Sequence, residues 1–120
     1  MSDYRNLMVW KKSMDLVKEV YGLAKKLPPE EKYALSDQLR RAVVSVPSNI
    51  AEGSGRDSEK EYVRFLSIAK GSACEVETQL TVCCSIGYLD QGDIEAVLAL
   101  CTEVEKMLSS LAKKISSRKN

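Results

Sequence analysis

The segment LRRAVVSVPSNIAEGSGR, residues 39–56, constrains the fold more than any other part of the chain. Its apolar residues recur with helical spacing, yet Pro47 lies inside the pattern and the run stops at Gly53 and Gly55. Proline in a helix removes one hydrogen bond and clashes with the preceding turn, which predicts a second helix kinked at Pro47. The two glycines predict a left-handed cap where this helix ends.

A polar line crosses the same helix at steps of three and four residues. With two polar residues of the third helix, it is expected to form a buried network that fixes the register of helices or of neighbouring subunits. We expect Arg41 and Glu75 to be at least partly buried and paired within this set. Contact with a ligand or with nucleic acid is the alternative. The network residues are Arg41, Ser45, Asn49, Glu52, Glu75 and Gln79.

Helical periodicity continues along the whole chain, with breaks at 28–29, 53–57 and 87–90. The pattern predicts a first helix over about residues 7–27 and a second over about 30–52. A third follows a capping box formed by Ser58 and Glu61 and runs to about residue 86. A fourth starts after Asp90. We therefore expect one all-α domain over residues 1–120, an up-down-up-down bundle whose tail, 116–120, frays.

Two of these helices carry more apolar surface than one bundle core requires. The first has two apolar lines, and the third is apolar around much of its circumference. Large unburied apolar patches mark interfaces, so we expect a homo-oligomer. The lines of the first helix are Trp10, Met14, Val17, Tyr21 and Ala24, and Val9, Leu16, Val20, Leu23 and Leu27.

The composition argues against catalysis and against a metal site. The chain has four cysteines and no histidine, which removes the commonest general base and metal ligand. Cys74 and Cys84 are ten residues apart on one helix, about 15 Å along its axis, so they cannot share a metal. We expect buried reduced thiols, no cofactor and no enzymatic activity. No apolar run approaches the roughly 20 residues of a membrane span, and no secretory signal is seen, so we expect a cytoplasmic protein.

Charge is segregated although the net charge is only +1. If the bundle is divided at mid-height, one end holds twelve basic and six acidic residues, and it consists of residues 1–16, 44–70 and 106–120. Such a basic end suits an anionic partner. Only Tyr4 and Trp10 lie near enough to stack on bases. The candidate nucleic-acid-binding residues are Arg5, Lys11, Lys12, Arg56, Lys60, Arg64, Lys113, Lys114, Arg118 and Lys119.

Four segments in this order resemble a known family: NLMVWKKSMDLVKEVY, LPPEEKYALSDQLRRA, the segment of residues 39–56, and RDSEKEYVRFLSIAKGSACEVETQL. The chain resembles the bacterial 23S rRNA-intervening sequence proteins and their relatives, the accessory variability proteins of diversity-generating retroelements. The resemblance implies a left-handed four-helix bundle that associates as a ring, with five subunits, and without known catalytic activity.

Together these observations favour a non-catalytic ring that contacts RNA, DNA or a nucleic-acid-handling protein through its basic end. The alternative is a protein-interaction scaffold that does not bind nucleic acid. An enzyme or a small-ligand binder is the least favoured reading.

Overall fold

A computed structural model describes residues 3–118 and places four α-helices in sequence. Short 3-10 turns at Tyr4–Asn6 and Pro29–Glu31 precede the first and second of them. Within residues 3–118 there is no β-strand, so the all-α prediction is confirmed. The helices are α1, Met8–Ala24, α2, Leu35–Ser54, α3, Glu59–Ser85, and α4, Gln91–Ser117.

The second helix begins later than predicted, at Leu35 rather than near residue 30. The intervening stretch forms a 3-10 turn that is tied down by the side chain of Glu31. One oxygen of Glu31 accepts from the Leu35 backbone N–H at 3.3 Å, and the other accepts from the Tyr88 hydroxyl at 2.8 Å. The carboxylate thus satisfies a free donor at the start of α2, where the helix dipole favours negative charge.

The expected left-handed cap at the end of α2 was wrong. Gly53 is helical and Gly55 has φ −91°, so neither adopts the left-handed conformation. In the described part of the chain that conformation occurs at Gly87, with φ +87°, directly after α3. The helix α4 continues to Ser117, and residues 119–120 lie outside the described part of the chain, so the fraying of the tail 116–120 stays a prediction. Ser58 does cap α3, accepting from the Glu61 N–H at 3.0 Å.

Each helix packs against two neighbours in the order α1, α2, α3, α4, and back to α1. Ion pairs between Lys26 and Asp93 at 3.2 Å and between Lys12 and Glu103 at 3.4 Å show that α1 and α4 run antiparallel. The molecule is elongated, 49 × 23 × 20 Å. The helix α2 continues through the buried Pro47. The kink at this proline and the handedness of the bundle stay predictions.

The core consists of two apolar clusters, and Leu100 packs against both of them. One lies toward the α3–α4 turn and includes Leu16, Leu80 and Ile94. The other lies toward the basic end and includes Ile50 and Leu108. None of the helices within residues 3–118 has the length and apolarity that crossing a bilayer would demand.

The two apolar lines of α1 have different roles. The line from Val9 to Leu27 faces the core and is buried throughout. The line that starts at Trp10 is only half-buried as far as Val17, and Tyr21 is exposed, while Ala24 is buried. This second line therefore remains as apolar surface beside α2.

Gly53 is required by packing between α2 and α3. A Cβ atom at this position would lie 2.8 Å from Phe65 Cβ and 3.0 Å from Tyr62 Cδ1. Phe65 Cβ is fixed to its backbone and cannot rotate away, so any larger residue must push the two helices apart.

We predict that Gly53→Ala lowers the free energy of unfolding by about 1–3 kcal/mol, the usual cost of overpacking. Gly22→Ala is the matched control, because a Cβ there meets no atom within 4 Å. It should raise stability by about 0.5–1 kcal/mol through helix propensity alone. Urea unfolding followed by circular dichroism measures both. Equal effects of the two substitutions would contradict the close approach at Gly53.

Candidate nucleic-acid interface

The start of α3 and the end of α4 meet at the basic end of the bundle. Arg118 forms an ion pair with Glu59 at 3.1 Å across the two helices. Lys60 and Ser116 line one shallow depression at the same place, together with Val63. Lys113 and Lys114 precede Ser116 by three and two residues in α4, so basic residues of two helices lie at this end of the bundle.

Two other arginines at this end pack against one aromatic ring. The guanidinium groups of Arg56 and Arg64 lie 4.8 and 4.7 Å from the centre of the Phe65 ring. Each also pairs with a carboxylate: Arg56 with Glu52 at 2.8 Å, and Arg64 with Glu61 at 3.2 Å. These arginines are therefore already engaged, and they cover Phe65 where α2 turns into α3.

The remaining candidates on the N-terminal side are farther apart. Arg5 pairs with Asp3 at 3.7 Å and lies over the Tyr4 ring. Lys12 pairs with Glu103 on α4. Eleven residues of α4 separate Glu103 from Lys114, which is about 16 Å along the axis. Lys12 is thus not part of the group around Lys114.

A lysine or arginine side chain that has no carboxylate partner can neutralise a phosphate group without first breaking an ion pair. In the part of the chain that the structure describes, no carboxylate pairs with Lys11, Lys60, Lys113 or Lys114. Lys119 lies outside the described residues. The best-placed unpaired group is therefore Lys60 with Lys113 and Lys114.

The aromatic residues near this end pack on each other. The rings of Tyr4 and Trp10 are 5.4 Å apart and meet edge to face. They line a depression with Val44 and Pro47 of α2. Their faces are thus partly used in packing the N-terminal turn onto the bundle.

The predicted polar line separates into independent contacts. Arg41 has a side chain that is 80% exposed and pairs with Asp37 one turn earlier at 2.8 Å. Among the described residues it makes no hydrogen bond or ion pair with Glu75, Asn49, Glu52 or Gln79, so the expectation that Arg41 is partly buried and paired within the network was wrong for the single chain. The long arginine side chain reaches a nearer carboxylate in water without losing its hydration. An exposed pair of this kind contributes only about 0.3–0.5 kcal/mol.

A smaller buried contact replaces the predicted network. Ser45 and Ser72 join α2 to α3 through their hydroxyl groups at 2.7 Å, and Asn49 Nδ2 donates to Ser45 Oγ at 2.9 Å. Ser72 was absent from the predicted set. Its signal in the sequence is a small polar residue seven positions before Gln79, on the same face of α3.

On α3 the other two network residues contact each other. Gln79 is buried and donates from Nε2 to Glu75 at 3.2 Å. The pairing of Glu75 within the network is therefore confirmed, but Glu75 is exposed, so its expected burial is wrong. Gln79 Oε1 is buried without a hydrogen-bond partner among the described residues.

A cluster of cysteines and glutamates lies between α3 and α4. The ligating atoms of Cys74, Glu77 and Glu105 are all within 4.8 Å of one another. Cys101 is buried one turn before Glu105. The spacing between cysteines does not reveal this cluster, because two of its three ligating residues are glutamates. The signal was there in the pairs Cys74-x-x-Glu77 and Cys101-x-x-x-Glu105, which place each pair on one helix face.

The prediction that the cysteines are buried, reduced thiols is only partly confirmed. All four cysteines are free, but Cys74 is exposed and Cys84 is half-buried, while Cys83 and Cys101 are buried. Cys74 is exposed because it lies at the outer edge of the α3–α4 contact. Burial, with the charges of Glu77 and Glu105, raises the pKa of Cys101 to about 12.

Glu105 opposes the ionisation of the neighbouring Glu77. Burial, then a hydrogen bond and charge repulsion from Glu105, raises the pKa of Glu77 to about 7. Glu105 Oε2 is buried and finds no donor among the described residues while both groups are ionised. A proton on Glu77 supplies that donor.

The fold and the site together define an antiparallel four-helix bundle with a cationic end. The sequence pattern described as 23S rRNA-intervening sequence protein matches residues 5–110, and the chain belongs to this family. A crystal structure of a protein with unknown function from the S23 ribosomal protein family of Bacteroides thetaiotaomicron is similar. Its TM-score is 0.81 at 29% identity, over 88% of this chain and 99% of that chain.

No curated protein matches the chain. Nothing in these similarities points to catalysis. The relation to retroelement accessory proteins stays a prediction.

We predict that stability falls as pH rises from about 4.5 to about 7, because folding favours the protonated form of Glu77. The unfolded chain releases this proton near 4.5, whereas the folded chain releases it near 7. Glu77→Gln should remove this fall and be more stable than the wild type at pH 8. Urea unfolding across this range, with a chelator present, measures it. The exposed Glu95→Gln is the control, and if it alters the pH dependence as Glu77→Gln does, the assignment is wrong.

Proposed function

We propose that this protein is a non-catalytic, ring-forming bundle that binds nucleic acid or a ribonucleoprotein through its basic end. The observation that carries the proposal is the group of unpaired lysines, Lys60, Lys113 and Lys114, where α3 begins and α4 ends. Arg118 lies beside them and is held by Glu59.

Phosphate contacts from such a group supply affinity with little sequence preference, because they do not read base edges. The aromatic residues do not add much readout, since Tyr4 and Trp10 pack on each other. The affinity for nucleic acid should therefore depend mainly on the salt concentration and little on the base sequence. In a ring, each copy would repeat the same cationic group, and the effective charge facing a long nucleic acid would be multiplied.

The unburied apolar residues support a ring. Tyr21 and Val44, 38% and 39% exposed, lie together between α1 and α2, beside the half-buried line that begins at Trp10. Ile68 and Val82 are exposed on α3, and Ile86 is exposed directly after its last residue. Because the chain has two different apolar faces, one face of a subunit can pack against the other face of the next subunit. Such a head-to-tail contact closes into a ring when the rotation between neighbouring subunits permits it.

The nucleic-acid prediction is tested by charge reversal. Lys113→Glu with Lys114→Glu should weaken binding to RNA and DNA and reduce the slope of log affinity against log salt by about 1–2. Lys18→Glu with Lys25→Glu is the matched control, because Lys18 on α1 and Lys25 directly after it are exposed and form no ion pair within residues 3–118. Fluorescence anisotropy at several salt concentrations gives the slopes.

If the wild-type protein does not bind RNA or DNA at low salt, the alternative hypothesis, a protein-interaction scaffold without nucleic-acid binding, is favoured. Equal losses from the two double variants would mean that binding is a diffuse charge effect and not a property of the basic end.

The prediction of a ring is tested by measuring the molar mass of the protein in solution. Light scattering should give about five times the chain mass of 13.3 kDa, the number that the family resemblance implies. Val44→Asp should dissociate the ring, because it buries an unpaired charge in the interface, while the exposed Ala96→Asp should leave it intact. Monomeric wild-type protein at micromolar concentration would refute ring formation.

A further inference from the structure

The cluster between α3 and α4 has the composition and the spacing of a metal site. Cys74 and Glu77 lie three residues apart on one face of α3, and Glu105 reaches the same point from α4. One sulfur and two carboxylate oxygens lie within 4.8 Å of one another. Three ligands converging from two rigid helices differ from a row of exposed acids along one helix.

A second observation points to an occupant of this cluster. Glu105 Oε2 exposes almost no surface and has no hydrogen-bond partner among the described residues. None of the ion pairs in the described part of the chain includes Glu77 or Glu105. A buried carboxylate oxygen without a donor is costly. A proton on Glu77 is one way to satisfy it, and a cation bound between the three side chains is another.

The observed spacing is close to what one metal ion needs. Zinc binds thiolate sulfur at about 2.3 Å and carboxylate oxygen at about 2.0–2.2 Å, so ligand atoms around a tetrahedral ion are about 3.5 Å apart. Small rotations of the three side chains bring them from within 4.8 Å to that distance. Cys74 is exposed, and a shallow depression lined by Lys70, Thr102 and Lys106 opens on Glu105, so an ion can enter from solvent.

We propose that Cys74, Glu77 and Glu105 bind one divalent cation of the zinc class between α3 and α4. The sulfur ligand selects zinc over magnesium and calcium, which prefer oxygen ligands only. Three protein ligands leave a fourth position for water. The bound ion ties α3 to α4 at mid-length, away from the basic end.

The test uses the intact, reduced, metal-free protein titrated with Zn²⁺ against a chromophoric chelator. We expect one zinc per chain. Cys74→Ser and Glu105→Gln should each weaken the affinity by at least about tenfold, since each removes one ligand. Cys84→Ser and Glu95→Gln are the matched controls on α3 and α4, and they should bind zinc as the wild type does. Circular dichroism of the metal-free variants checks that each is folded.

A second readout reports the sulfur directly. Cd²⁺ should give a thiolate charge-transfer absorption in the wild type and in Cys84→Ser, but not in Cys74→Ser. Zinc should also raise the melting temperature of the wild type, because it binds only the folded chain, and should not raise that of Cys74→Ser.

The proposal is wrong if zinc does not bind at micromolar concentration, or if it binds Cys74→Ser and Glu105→Gln as tightly as the controls. Competition by equal concentrations of Mg²⁺, with no thiolate absorption from Cd²⁺, would remove Cys74 from the site and overturn it as well.

Discussion

The close approach of α2 and α3 is the constraint on which the rest of the structure depends. Gly53 allows the backbone of α2 to touch Phe65 Cβ, and the Ser45–Ser72 hydrogen bond holds the two helices together farther along. This hairpin places the start of α3 at the basic end and so brings Lys60 to the last turns of α4. A larger residue at position 53 would separate the helices and alter the spacing of the cationic group.

The basic end is less uniform than its net charge suggests. Arg56 and Arg64 are held by Glu52 and Glu61, and they shield Phe65. Exposed pairs of this kind contribute little to stability, but they reduce the charge available to a partner. The surface that remains for phosphate is therefore smaller than the full set of basic residues, and it is concentrated where α3 and α4 meet.

The α3–α4 interface combines apolar packing with a group of ionisable side chains. Glu77 and Glu105 face each other beside Cys74, a position where two negative charges repel and burial raises their cost. A proton or a cation removes this repulsion. When Glu77 has lost its proton at higher pH, the two carboxylates destabilise the fold, and the same pair is suited to hold a metal ion. A proton and a metal ion would compete for the same carboxylate oxygens.

The sequence by itself determined the four helices and their order, because periodicity, proline and capping residues act over a few neighbouring positions. Ser58 is one such local signal, and it caps α3 as predicted. The sequence did not show the 3-10 stretch before α2, where Glu31 is held by the distant Tyr88. The sequence could not decide which apolar line of α1 faces the core, because both have the same period. Nor could the sequence show that Arg41 pairs with Asp37 and not with Glu75, since either carboxylate would neutralise the charge of the arginine. Only the tertiary structure decided these points, and it alone brought Glu105 to Cys74, because contacts between helices depend on rotations about their axes that no local pattern specifies.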